Sequence, residues 1–267
     1  MDLCKVIPEQ QDWQGEPIAF DPDSSPEAWE YYLSAYDDEM QAAYDFDNLC
    51  FFEYVKTGRF RGKYTAKRDN SKPYSRLYAI KKDAVPLDGK RLYYEPCLRL
   101  SGDTDFNFND KQYEKFRKII KDAESLSLLD ECRKKHHTLQ NFSLMQTVGN
   151  MQGMKARGLM TENGFEWMDR LDSFIFLLSE HFKNPEQSPL KNYPISEPNY
   201  NELCKYLSAF QSINDYCRRM YFIQDELIDR LIENGRKHIT EEEAAKEYLL
   251  LANAFWQQKR EHMEAKR

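Results

Sequence analysis

The sequence predicts an α+β fold, with a small antiparallel β-sheet in the N-terminal part followed by a mainly α-helical C-terminal part. Three observations predict it. Between about residues 51 and 105, short runs rich in aromatic and β-branched side chains alternate with turn-forming clusters. From about residue 106 onward, apolar residues recur at three- and four-residue intervals, as on helices that bury one face. A chain of 267 residues with 41% hydrophobic side chains can bury a sizeable core. One domain is expected, with an acidic helical sub-region (1–50), a basic β-rich one (51–105) and a helical one (106–267).

The elements follow in order. Ser25 and Pro26 suit the start of a helix, and Trp29, Tyr32, Leu33, Tyr36 and Met40 form one apolar stripe along it, with acids opposite. The runs CFFEYV, GRFRGKY, YSRLYAI and RLYYEPCLRL read as strands, separated by RDNSKP and PLDGK. Asn109 or Asp110 should cap a helix carrying Tyr113, Phe116, Ile119, Ile120 and Ala123 on one side. A second short helix passes Leu128 and Leu129 toward Lys135. Helix is expected again from near Phe165, with Met168, Leu171, Phe174, Ile175, Leu178 and Phe182 in register. Four prolines make PEQSPLKNYPISEPN a loop. A long helical block runs from about Tyr200 to Asn234, with Gly235 as its stop. The last helix opens on a Thr240/Glu243 capping box ahead of Tyr248, Leu251, Ala252 and Phe255.

Composition excludes several classes. No run approaches the ~18 apolar residues of a membrane span. The polar, acidic start MDLCKVIPEQQDWQGE has no apolar signal-peptide core, which argues for the cytoplasm. The six cysteines are scattered without C-x-x-C pairing, so buried free thiols are expected rather than disulfides or a zinc site.

Charge is unevenly distributed. Residues 1–50 carry thirteen acids and one base, whereas residues 51–100 carry thirteen bases and five acids. Between Lys56 and Lys82 there are ten Lys or Arg and one acid, interleaved with Phe60, Tyr64, Tyr74 and Tyr78. Cations pair with phosphates and aromatic rings stack on bases, so this composition suits nucleic acid or a nucleic-acid-handling protein as partner. The candidates are Arg59, Arg61, Lys63, Lys67 and Arg68 for phosphate and Tyr64 for stacking. Against this stands internal neutralisation, with the acidic helix lying across the basic block. In a third reading, the acidic segment 25–47 mimics nucleic-acid charge as a protein-interaction module.

The stretch HHTLQNFSLMQTVGNMQGMKARG (136–158) carries a competing, enzymatic reading. His137 would act as general base, and Asn141 and Arg157 would position a phosphate or nucleotide. Asp169 and Asp172, three apart on a helix, would hold a metal. No third ligand completes that site in sequence. The bland alternative makes TLQNFSLM an apolar turn that plugs the core and leaves GNMQGMKARG as a glycine-rich loop free to bind.

The segment H-T-L-x-N-F-S-L-M, then A-R-G, then D-R-L-D, resembles an uncharacterised bacterial and phage-associated family of unknown function. The matching positions are Thr138, Leu139, Asn141, Phe142, Arg157, Gly158, Asp169, Arg170 and Asp172, and the likeness covers roughly residues 136–230. Gln140 stands where that family often has Gly. The resemblance implies a bacterial or phage setting, such as phage–host conflict, and names no reaction or cofactor. The same segment also looks like the second half of His-Asn-His nucleases. Those enzymes need an upstream histidine element, and no histidine precedes His136.

Overall fold

The computed structural model describes residues 35–36, 50–54, 60–61, 65–66, 76–82, 86–87, 90–91, 97–136, 138–146, 151–161, 164–165 and 169–266. The described strands are, in chain order, β1 (Cys50–Tyr54), β2 (Phe60–Arg61), β3 (Thr65–Ala66), β4 (Arg76–Lys82), β5 (Pro86–Leu87), β6 (Lys90–Arg91), β7 (Cys97–Thr104), β8 (Phe142–Gln146), β9 (Met160–Thr161) and β10 (Gly164–Phe165). The described helices are α1 (Asp110–Ile119), α2 (Ala123–Lys134), α3 (Met151–Arg157), α4 (Leu171–Lys183), α5 (Glu197–Leu207), α6 (Ile213–Tyr221), α7 (Asp225–Gly235) and α8 (Glu242–Ala265). The architecture is α+β, as expected. The predicted helix over 25–47 lies outside the described residues, apart from Ala35 and Tyr36.

The main sheet is antiparallel in the order β1-β4-β7-β8. Its registers pair Cys50 with Ile80, Tyr78 with Ser101 and Asp103 with Ser143. The fourth strand comes from FSLMQ, deep in the helical part, where an apolar plug was expected. Five residues are too few to show a strand period, yet Phe142, Ser143 and Met145 are buried where β8 meets the helices.

Helix starts follow local chemistry. Asn109 caps α1 by accepting from Gln112 N at 3.0 Å, and Asp122 caps α2 by accepting from Ser125 N at 2.9 Å. Ser212 does the same for α6, accepting from Asp215 N at 3.1 Å. The expected Thr240/Glu243 box is absent: α8 begins at Glu242, after Glu241. Glu242 instead reaches across to α2, where its carboxylate accepts from Lys121 N at 2.8 Å and Asp122 N at 3.1 Å.

Three further expectations are corrected. The helix anticipated from Phe165 starts at Leu171, because Gly164 and Phe165 pair with Thr161 and Met160 and Asp169 adopts a left-handed φ of 54°. The block from Tyr200 to Asn234 is three helices, interrupted near Ser208–Ser212 and at Phe222, whose φ of 60° is also left-handed. Gly235 is the last residue of α7 and is needed for close approach. A Cβ there would lie 2.2 Å from the Asp172 carbonyl oxygen.

The core surrounds α8, a rod of roughly 36 Å at 1.5 Å per residue. Phe106 meets Phe255 at 5.2 Å and Trp256 at 5.9 Å, and Phe116 stacks on Tyr248 at 5.3 Å. Among the described residues, no helix is long and apolar enough to cross a membrane. Replacing Gly235 by Ala forces α7 away from the start of α4. This should destabilise the protein by about 1–3 kcal/mol, read as a lower urea midpoint with an unchanged slope.

Candidate functional site

The segment from Asp103 to Asn109 leaves β7 and enters the core as a polar strap. Lys155 from α3 and Lys259 from α8 donate into it there, and the backbone of Phe106 pairs with that of Arg170 just ahead of α4; all three cations are essentially without solvent exposure. A buried charge is tolerated only when paired and hydrogen-bonded, and each of these is.

Lys259 Nζ donates to Asp105 Oδ2 at 2.6 Å, to Ser143 Oγ at 2.7 Å and to the Phe142 carbonyl. Burial pulls its ammonium below the ordinary lysine range, and Asp105 offsets this only in part. Lys155 Nζ donates to the Thr104 carbonyl and to Asp169 Oδ1, both at 2.6 Å, and lies 3.2 Å from Asp103 Oδ2. Burial acts to lower this ammonium as well, but Asp103 and Asp169 together outweigh it and hold Lys155 above its ordinary value. Arg170 grips Asp172 with Nε at 3.0 Å and a terminal nitrogen at 2.7 Å, and donates to the carbonyls of Lys237 and Asn234. Asp172 also accepts from Asn234 Nδ2 at 2.9 Å and from Ser173 N at 2.8 Å.

Asn141 completes the strap. Its Oδ1 accepts from Phe106 N at 2.9 Å and Trp256 Nε1 at 2.8 Å, while its Nδ2 donates to the carbonyls of Phe106 and His136. The strap also takes a hydrogen bond from Asn107 Nδ2 to Asp169 Oδ2 at 2.9 Å.

Three of the side chains proposed for catalysis and metal binding have internal partners. Asn141 spends its amide on two core elements and a tryptophan, so it scaffolds the fold rather than orienting a substrate. Asp169 and Asp172, although three apart, serve different cations: Asp169 pairs with Lys155 and Asp172 with Arg170. Among the described residues, no group of three or more His, Cys, Asp or Glu is placed to hold a metal. Arg157 is half-buried at the end of α3 and lies within electrostatic reach of Tyr193. The Tyr193 hydroxyl donates to the Gly158 carbonyl. His137 lies outside the described residues. GNMQGMKARG, expected as a free loop, contains α3, which buries Met151, Met154 and Lys155.

Of the basic candidates, Arg61 belongs to β2, paired with Thr65 of β3. Arg59, Lys63, Tyr64, Lys67 and Arg68 lie outside the described residues.

Free thiols are observed at Cys132, Cys204 and Cys217. Burial pushes the Cys132 thiol up to about 12, which makes it a poor nucleophile. A surface groove of about 510 Å³ lies between α4, α6 and α7, with Phe182, Lys183, Gln211, Ile213 and Arg236 among its lining. It contains none of the residues selected from sequence.

Lys155 and Lys259 were missed in the sequence, but one left a signal. Lys259 continues the buried stripe Tyr248, Ala252 and Phe255 at helical spacing, so a lysine occupies a core position. Asp103 and Asp105 alternate with Thr104 and Phe106, which reads equally well as an exposed strand edge.

Two consequences are measurable. Asn141→Ala strips partners from Phe106 and from the Trp256 indole. It should cost roughly 2–5 kcal/mol of folding free energy by chemical denaturation. His181, buried on α4 beside Ser188 Oγ at 2.9 Å, is held below its ordinary value of 6.5, first by burial and second by Lys191. A lowered histidine disfavours the charged form in the fold, so its contribution is complete above about pH 6.5. That contribution is lost as pH falls through the lower folded-state value. Thermal midpoints measured from pH 7.5 down to 5 should fall more steeply for wild type than for His181→Gln.

Comparisons with protein-family models, with curated proteins and with solved structures each return no significant match to this chain.

Proposed function

We propose that the chain is a binding protein that contacts nucleic acid, or a protein that handles it, through the basic segment around β2 and β3. The observation that carries this reading is the antiparallel pairing of Phe60–Arg61 with Thr65–Ala66 inside the most basic run of the chain. In this reading Arg59, Arg61, Lys63, Lys67 and Arg68 meet phosphates and Tyr64 stacks on a base, as the alternation of cations and aromatic residues in this run suggests. The buried cations of the helical part behave differently: Lys155, Arg170 and Lys259 are each neutralised by carboxylates within the fold. The phage–host setting and a cytoplasmic location remain part of this proposal, resting on the sequence resemblance and on the free thiols of Cys132, Cys204 and Cys217.

An enzymatic centre at 136–172 gains no support from the same geometry, because Asn141, Asp169 and Asp172 are committed to internal partners. Fluorescence anisotropy with labelled single-stranded and duplex DNA and RNA across a salt series tests the reading. Wild type should bind with a log–log salt slope of several units. Replacing Arg59, Arg61, Lys63, Lys67 and Arg68 by Gln should weaken binding on the order of 100-fold at low salt and flatten the duplex slope by about 4. Absence of affinity at low salt in the folded wild type would sink the proposal.

A further inference from the structure

Phe222 occupies a place where a helix ordinarily ends on glycine. It follows α6 with φ 60° and ψ 34°, a left-handed backbone that a bulky side chain keeps only when its surroundings hold it there. Two rings hold it. His262 of α8 stacks on Phe222 with centroids 4.6 Å and planes 4° apart. Tyr36, from far upstream in the chain, meets it edge-on at 5.1 Å.

Around Phe222 the helical body thus forms a slot for one aromatic side chain, and Tyr36 fills it to 2% exposure. Tyr36 lies within electrostatic reach of the Tyr216 hydroxyl. Tyr216 meets Tyr221 edge-on at 5.8 Å, and Tyr221 lies 6.0 Å from Phe255 of α8, so the slot is continuous with the core. Burial first, and then Tyr221, push the Tyr216 hydroxyl well above its ordinary value, so this wall stays uncharged. His262 Nε2 lies 2.8 Å from the Ala35 carbonyl oxygen. A carbonyl only accepts, so the imidazole presents its Nε2–H to the backbone. Ala35 is 1% exposed, and a small side chain suits that position. The slot therefore reads two consecutive residues, a small one through its carbonyl and an aromatic one through its ring.

We infer that this slot is a tyrosine-docking site with an affinity of its own, and that Ala35–Tyr36 is its resident but exchangeable occupant. The partner it fits is a chain segment that presents a small residue followed by tyrosine at a turn, as these two residues do. Exchange is favoured by how little has to open. A ring contact and a hydrogen bond to backbone can part locally while the networks of Lys155, Arg170 and Lys259 stay intact. Departure of Tyr36 also removes one of the two rings that hold Phe222 in its strained backbone, so occupancy of the slot is coupled to the corner between α6 and α7.

The test uses the full chain and a fluorescently labelled peptide of residues 33–40, LSAYDDEM. Tyr36→Ala empties the slot, and its thermal unfolding shows whether the body is intact. The peptide should bind this variant at least about tenfold more tightly than wild type, whose slot is already filled. A peptide carrying Tyr36→Phe should stay within a few-fold, and one carrying Tyr36→Ala should not bind. Adding His262→Ala to the emptied chain should weaken the parent peptide roughly tenfold. Hydrogen exchange on wild type is a second readout that needs no variant. The stretch with Ala35 and Tyr36 should exchange by local opening, at least about 100-fold faster than the centre of α8. Exchange of both at one rate, through global unfolding, would overturn the inference. So would a folded Tyr36→Ala chain that ignores the peptide, or one that binds it no better than wild type does.

Discussion

An ammonium group sealed from water has to be surrounded by oxygen, and Lys259 imposes that demand on four parts of the chain at once. Its partners come from the strap after β7 and from both ends of the Phe142–Ser143 step that opens β8, while Lys259 itself belongs to α8. Satisfying it fixes where the sheet ends and the helical body begins. Lys155 repeats the arrangement beside it, so the seam between the layers is polar although apolar and aromatic residues surround it, while Arg170 ties the start of α4 to the end of α7. Such pairs are poor sources of net stability but costly to break singly, so they enforce one particular docking of sheet on helices. The aromatic cluster of Phe106, Tyr248, Phe255 and Trp256 then packs around that docking.

Much of this was legible in the residues. The α+β class, the strands around 76–82 and 97–104, the Asn109 cap and the apolar stripe of α8 all follow from periodicity and capping chemistry. What failed was long-range. FSLMQ is a strand only because β7 offers it an edge, and nothing within five residues says so. The capping box at Thr240 lost to Glu242, whose carboxylate finds better donors on another helix. Asp169 and Asp172 shared a helical spacing on paper, but the left-handed turn at Asp169 puts one outside α4 and the other inside it.

The same physics explains why the candidate site was only partly legible. Asn141, Asp169 and Asp172 are the polar residue types that chemistry uses, and a buried polar network uses them too. Only the partners distinguish the two cases, and here those partners are Trp256, Lys155 and Arg170. The basic run around β2 and β3 has no such internal use visible in its sequence, since ten cations there face a single acid. Charge of that density must be neutralised from elsewhere, whether by the acidic segment or by a polyanion.

The hydrogen bonds that Glu242 accepts from the chain just ahead of α2 bear on how the chain acquires its shape during synthesis. The Lys121 and Asp122 amides wait for a carboxylate about 120 residues later, and the strap waits still longer for Lys259. Domains commonly condense from the amino end as they emerge from the ribosome. Here the emerging sheet and first helices lack their central pillar until α8 has been made. Contacts of such sequence separation are the kind that slow folding, so docking of α8 is expected to be a late step.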